Sequence, residues 1–494
     1  MVVRVGGKYQ SLIDDAPSVG GCLCHSPAFA RLNALVTQKI SRRSVLSGAA
    51  AGFGAAVFGA SGAFARIPEA PKSPIAFTNA RVFDGLASSA RTGMTVIVEG
   101  NRIKSVDTSN NPPGADFDVV DCGGRTLMPG LIDAHVHAMM SVISVQGLMT
   151  ADIGYINLVS AEEAEKTLMR GFTGIRDMAG PVFGLKRAID SGIVPGPRIW
   201  PSGAMISQTS GHGDFRLPSD IPAQPNAALT HPEVMGAGMI ADGVPAVLKR
   251  VREQLMLGAT QIKLAAGGGV ASNYDPLDSS QYTEAEFRAA SEAAENWGTY
   301  VAVHAYMPRA IQTAVRGGVR CIEHGQLMDE ETARILADKG IWLSSQPFLA
   351  DEEANVYLEG SANRAKQQQV SSGTDTTYGL AKKYKLKTAW GTDTLHNASL
   401  VSRQGKQLAK MKRWYSNAEV LRMGTSVNAE LLAMSGPRNP YPGKLGVIEN
   451  GAYADMLLVN GDPLADIDLI ADPERNFSII MKDGRFYKNT LRPK

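Results

Sequence analysis

The sequence predicts an α/β protein: a (β/α)8 barrel, with a small β-sandwich built from both ends of the chain beyond residue 65. Three observations predict it. Eight short, mostly apolar segments recur between Met128 and Met434, and helix-forming stretches separate most of them. The regions on either side are rich in strands and turns, yet neither has enough strands to close a core alone. With 44% hydrophobic and 20% charged residues, the 494-residue chain has a globular composition and room for one large barrel with an appendage.

Residues 1–65 read as a twin-arginine export signal. Ser41-Arg42-Arg43-Ser44-Val45-Leu46 precedes a Gly/Ala-rich run ending in Ala63-Phe64-Ala65, a small-x-small cleavage site. Eight alanines and five glycines between Gly48 and Ala65 leave that run too weakly apolar for stable membrane insertion. A periplasmic or secreted location follows, with the mature chain starting near Arg66. The whole chain carries 50 basic and 48 acidic side chains, a net charge of +2. Nucleic acid is therefore excluded as a partner selected by bulk charge. Cys22-Leu23-Cys24-His25 lies in the leader without a second ligand pair, and only Cys122 and Cys321 remain beyond it. Two cysteines make no disulfide framework.

Residues 66–127 form the first part of the expected sandwich. Ile75–Phe83 reads as a strand closed by Asp84-Gly85, and Met94–Val98 with Arg102–Val106 as a hairpin across Glu99-Gly100-Asn101. Residues 437–494 form the second part, with strands expected at Ala454–Val459, Phe477–Met481 and Arg485–Tyr487.

The barrel is expected over residues 128–436. Its strands are Gly130–His135, Thr173–Arg176, Arg198–Trp200, Gln261–Leu264, Tyr300–Val303, Cys321–Glu323, Ile341–Ser345 and Thr388–Trp390. Helices are expected at Val244–Leu257, Glu284–Asn296, Pro308–Arg316 and Glu330–Lys339.

Ligand-type side chains gather at the C-terminal ends of these strands, where barrels build their sites. Strand alternation sends His135 and His137 of Asp133-Ala134-His135-Val136-His137 to one side. Lys263 lies in the fourth strand, His304 ends the fifth, His324 ends the sixth and Asp393 ends the eighth. Any one of these has an innocent reading as a hydrogen-bonded residue or a turn cap. Five strand ends carrying such groups point instead to a shared metal centre. Lys263 is the odd member, because an ammonium among apolar neighbours is costly and its pKa falls. A neutral amine can add carbon dioxide to give an anionic carbamate able to bridge two divalent ions. The alternative is a lysine paired with a neighbouring carboxylate.

The run Leu127-Met128-Pro129-Gly130-Leu131-Ile132-Asp133-Ala134-His135-Val136-His137, together with Lys263, His304, His324 and Asp393, resembles the metal-dependent amidohydrolase superfamily. Gly443–Ile448 and Gly451–Asp455 resemble its return into the sandwich. Ser202-Gly203-Ala204-Met205-Ile206-Ser207-Gln208-Thr209-Ser210-Gly211-His212-Gly213-Asp214 is similar to the imidazolonepropionase-related branch, which contains Xaa-Pro and Xaa-Arg/Lys dipeptidases and ochratoxinase. Two positions depart from the usual pattern: Gly267, where Ser or Thr often stands, and Tyr306, often His in ochratoxinase-like members.

The resemblance implies that His135, His137 and Asp393 hold one metal ion, His304 and His324 a second, and carbamylated Lys263 bridges them. Zinc suits such ligands. Two ions would acidify a water and polarise a carbonyl, with Asp393 as the catalytic base. The implied reaction is cleavage of an amide bond to a C-terminal amino acid, in a dipeptide or N-acyl amino acid such as ochratoxin A. His212, Tyr306 and Arg309 are the expected substrate contacts, with Met139, Met140, Val270 and Phe348 as apolar lining. Relatives of this kind assemble as homo-oligomers. A cyclic-amide hydrolase or deaminase on the same barrel is the alternative, and the bridging lysine argues against it. All six ligand positions are filled, which argues against a catalytically silent scaffold.

Overall fold

The computed structural model describes residues 2–5, 8–11, 67–108, 114–222, 227–355 and 357–491. Residues 1–63 form a unit of their own, in which Val2–Val5 pairs antiparallel with Lys8–Ser11. The rest of the expected export signal, including the arginine pair, lies outside the described residues.

In the second unit all eight expected segments are strands, with ends within two residues of those read from the sequence. They are Leu131–Val136, Phe172–Asp177, Arg198–Pro201, Ile262–Ala265, Val301–Ala305, Cys321–His324, Trp342–Ser345 and Thr388–Trp390. The first three form one parallel sheet. The fourth to eighth form another, which also contains Met205–Ser207 and Gly238–Ile240. These last two strands were not expected: each is three residues long, and no helix separates Met205–Ser207 from Arg198–Pro201 to mark it as a further strand. After Arg198–Pro201 the chain bends at Gly203, with φ +73°, and Met205–Ser207 resumes beside the fourth strand with Ile206 opposite Leu264. At the other border the Asp393 N–H donates to the His135 carbonyl at 2.8 Å, linking the end of the eighth strand to the first.

The helices occupy Val244–Leu257, Pro308–Arg316 and Glu330–Lys339 as expected, and Glu284–Glu295 ends one residue early. Local chemistry sets these limits. Thr283 and Glu286 make a capping box, the Asp329 side chain accepts from the Thr332 N–H, and Gly258 and Gly340 close their helices in the left-handed region. Strand alternation then divides the core. Ile262, Leu264, Val301, Val303, Ile322 and Leu343 pack against Val247, Val251, Phe287, Ile311 and Leu336 of the helices. Lys263, His304 and Glu323 are thereby sent to the opposite face.

The two flanking regions meet as expected, but they are hydrogen-bonded as a single mixed sheet of eight strands, not two separate sheets. Thr126–Pro129 lies at its centre, parallel to Ile75–Val82 and antiparallel to Met456–Val459. Pairing both edges of this one strand satisfies the backbone groups of both chain ends at once. One face buries Phe77, Val96, Leu127, Leu458 and Ile479; the other packs Met128, Leu457 and Phe477 on Phe172 and Trp390 of the central region. Among the described residues, no helix is long and apolar enough to cross a membrane.

Candidate metal centre

His135, His324 and Asp393 place ligand-capable atoms within 4.8 Å of one another. His137 Nε2 is 3.0 Å from Asp393 Oδ1, and His135 Nε2 is 3.4 Å from the same oxygen. Neither His135 Nε2 nor Asp393 Oδ1 has a hydrogen-bond partner, although both are buried. Buried polar atoms left in this way are costly unless something binds them. The backbone at two of the strand ends is unusual: His324 and Asp393 have φ of +80° and +49°. Alternation would turn His324 away once Glu323 faces inward, so the left-handed residue is what returns its ring to the centre.

Each of the four imidazoles commits one nitrogen to a protein oxygen. His135 Nδ1 donates to Glu323 Oε2 at 2.8 Å and His137 Nδ1 to the Ala179 carbonyl at 3.3 Å. His304 Nε2 donates to the Gly268 carbonyl at 3.1 Å, and His324 Nδ1 to Gln346 Oε1 at 2.7 Å. An acceptor oxygen requires the proton on the nitrogen facing it, so in a neutral ring the second nitrogen keeps its lone pair. Burial, aided by the Lys263 charge, pushes the His135 imidazole down to about 4. Burial also holds His304 and His324 well below the usual histidine range. Neutral imidazoles with free lone pairs fit a divalent cation.

Lys263 is 1% exposed, and among the described residues no hydrogen bond or ion pair engages its amine. Burial lowers its pKa, against the pull of Glu323 and Asp393. Burial opposes ionisation of Asp393, but His135, His137 and His324 hold its carboxyl well below the usual range. Asp133, two residues before His135, accepts from the Thr392 N–H and hydroxyl and so ties the eighth-strand turn to the first strand.

A cavity opens over this cluster, with His137, Lys263, His304, His324 and Asp393 in its lining. His212 and Tyr306 line it too. The His212 ring stacks on His304 at 3.8 Å between centroids, held by a 2.8 Å hydrogen bond between its Nδ1 and Ser272 Oγ. A Cβ at Gly269 would stand 1.9 Å from His212 Nδ1, which explains the glycine there. Val270 and Phe348 belong to the wall, as expected. Arg309 does not reach it: the helix begins at Pro308 and turns that side chain to solvent. Met139 and Met140 also lie elsewhere, packed with Ile143, Ile156 and Ile175. Sequence reasoning missed Arg176, Glu323 and Gln346, which hold the histidines from behind. The available signal was a charged residue inside an otherwise apolar strand, as in Cys321-Ile322-Glu323.

Residues 126–486 match the family model described as the amidohydrolase family. The chain belongs to the amidohydrolase family. Amidohydrolases are metal-dependent, and this one is a hydrolase of amide bonds. It is 30% identical over 385 residues to the ochratoxinase of Aspergillus niger, covering 73% of this chain and 75% of the relative. A solved prolidase in complex with N-methylphosphonate-L-proline is 33% identical with a TM-score of 0.76, over 84% of this chain and all of that one. A Xaa-Pro dipeptidase crystallised with methionine in its active site is 27% identical with a TM-score of 0.73, over the same shares.

Proposed function

We propose that this amidohydrolase cleaves the amide bond to a C-terminal amino acid, acting on dipeptides or N-acyl amino acids at a binuclear centre. The observation that carries the reading is the set of four imidazoles with one free lone pair each around Asp393 and the unpartnered amine of Lys263. His135, His137 and Asp393 would hold one divalent ion, His304 and His324 the other, with Lys263 as a carbamate between them and zinc as the metal. Bound ions supply polarisation of the amide carbonyl and a more acidic water. Asp393 is ionised at neutral pH, so it accepts the proton of the attacking water and returns it to the departing nitrogen. Tyr306 and His212, which line the cavity, would meet the carboxylate of the leaving amino acid, while Val270 and Phe348 would give the acyl or side-chain group an apolar wall.

The same reading closes the eight parallel strands as a (β/α)8 barrel over residues 128–436, with flanking parts at 66–127 and 437–494. It takes residues 1–65 as an export signal delivering a homo-oligomeric enzyme to the periplasm or the outside.

The test is metal analysis of the purified protein, followed by a screen of dipeptides and N-acyl amino acids, ochratoxin A among them. Aromatic, basic and proline C-terminal residues are compared by release of the free amino acid. Chelator-sensitive release, restored by added zinc, manganese or cobalt, is the expected result. A metal-loaded enzyme that opens cyclic amides or frees ammonia, and releases no amino acid, overturns the reading.

A further inference from the structure

Behind the cluster sits a charged group with no part in the chemistry just described. Arg176, Glu323 and His135 are each fully buried. Arg176 Nη2 lies 2.8 Å from both Glu323 oxygens and 3.0 Å from Ser344 Oγ. Its Nε donates to the Ala134 carbonyl at 2.6 Å and its Nη1 to the Tyr300 hydroxyl at 3.1 Å. Cys321 Sγ faces Glu323 Oε1 at 3.1 Å, and Oε2 accepts from His135 Nδ1 at 2.8 Å. Ion pairs in such surroundings recover little of what desolvation costs them, and apolar replacements often serve stability as well or better. The same layer uses apolar residues elsewhere, with Ile132, Ala302, Trp342 and Ala389 buried there. Packing alone therefore gives no reason for an arginine and a glutamate at this point.

We propose that Glu323, fixed by Arg176, is a positioning residue that sets the tautomer of His135 and makes its metal position the tighter of the two. This rests on the metal-centre reading above. A carboxylate can only accept, so it keeps the proton on Nδ1 and aims the Nε2 lone pair at the gap shared with Asp393. The guanidinium supplies five donors in a fixed plane and leaves the carboxylate one orientation. The other three histidines face neutral oxygens, at Ala179, Gly268 and Gln346. His135 alone of the four hydrogen-bonds a carboxylate through that nitrogen, while His324 Nδ1 stands 3.8 Å from Asp393 Oδ2 beyond its bond to Gln346; the charged acceptor strengthens the free nitrogen of His135 as a donor to a cation. The position served by His135 and His137 then fills first, and the one served by His304 and His324 second.

Calorimetric titration of zinc into the metal-stripped full-length protein tests this. Two steps are expected, separated by about tenfold or more. Arg176→Met/Glu323→Leu, which removes both charges together, is expected to weaken the tighter step by roughly 10–100-fold and leave the weaker one in place. Glu323→Gln keeps an acceptor oxygen and should fall between. Two indistinguishable steps in the unsubstituted protein, or an unchanged tighter step in the double variant, overturn the proposal. No uptake by the unsubstituted protein defeats the metal-centre reading itself. Independently of whether the Arg176 and Glu323 variants fold, nitrogen-15 histidine spectra of the unsubstituted, metal-stripped protein decide the tautomer, with His135 assigned by its loss in His135→Gln. A proton on Nδ1 supports the proposal, and one on Nε2 overturns it.

Discussion

Asp393 meets His135 at two points: its backbone N–H donates to the His135 carbonyl at 2.8 Å, and its Oδ1 stands 3.4 Å from His135 Nε2 without a hydrogen bond. The backbone bond fixes a distance that the side chains then present to a ligand. Asp393→Asn keeps the backbone bond and the side-chain volume but removes the charge and the basic oxygen. Turnover is expected to fall by about 10²–10⁴-fold while the thermal transition of the metal-stripped protein stays near that of the parent. Steady-state rates alongside a melting curve check this, and parental rates in a fully metal-loaded Asp393→Asn variant would remove Asp393 from the proton-transfer role.

Gly391 tests the same junction from the backbone side. A Cβ there would meet the His135 backbone nitrogen at 2.5 Å and the His135 Cβ at 2.6 Å, neither of which is the loose end of a flexible side chain. Gly391→Ala must therefore push the eighth strand off the first. The expected cost is about 1–3 kcal/mol by denaturant unfolding, with metal affinity lowered in the same variant. Unchanged affinity would mean that the spacing of Asp393 from His135 is not set at this contact.

The eight strands were legible because apolar strand segments of three to six residues alternate with helices bearing clear caps. The ligand-type residues were legible because they stand where those segments end. Other features left no such trace. Met205–Ser207 follows Arg198–Pro201 with no helix between them to mark a new strand, and the return of the His324 ring depends on a positive φ that histidine composition does not announce. Glu323 and Arg176 meet across strands far apart in sequence, so each read singly as a misplaced charge. Arg309 failed for the opposite reason: closeness in sequence to His304 suggested closeness in space, but the helix starting at Pro308 turns it outward.

Cys122 gives a pH prediction away from the centre. Burial, with the nearby Asp121 carboxylate, pushes its thiol from the usual 9 up to about 12. A folded pKa above the unfolded one leaves stability unaffected below pH 9 and removes it progressively from pH 9 towards 12, because the unfolded chain ionises first. Cys122→Ala is therefore expected to lose less stability than the parent over that window. Maleimide labelling of the native parent at pH 8 should be slow at both Cys122 and Cys321, each of which is buried. Rapid labelling before unfolding would show that the sheet opens around them.

Lys263 separates the carbamate reading from a structural one. Its side chain is 1% exposed and lines the cavity, with no hydrogen bond or ion pair at its amine among the described residues, so in the metal-stripped protein it costs stability wherever it must be charged. Its folded pKa lies below the unfolded one, so stability falls as pH drops below about 10.5, where the unfolded chain takes up the proton first. Lys263→Met fills a similar volume without the charge, and its metal-stripped form is expected to be at least as stable as the parent at pH 7. On the carbamate reading, the same variant should lose ~100-fold or more of its turnover, because it could form no bridging anion. Lys263→Ala leaves room for a small acid, and propionate is expected to restore part of the activity. Parent enzyme prepared without carbon dioxide should likewise regain activity on adding bicarbonate. Full activity in Lys263→Met, or indifference of the parent to bicarbonate with both metals bound, would leave the lysine as an unpaired core residue.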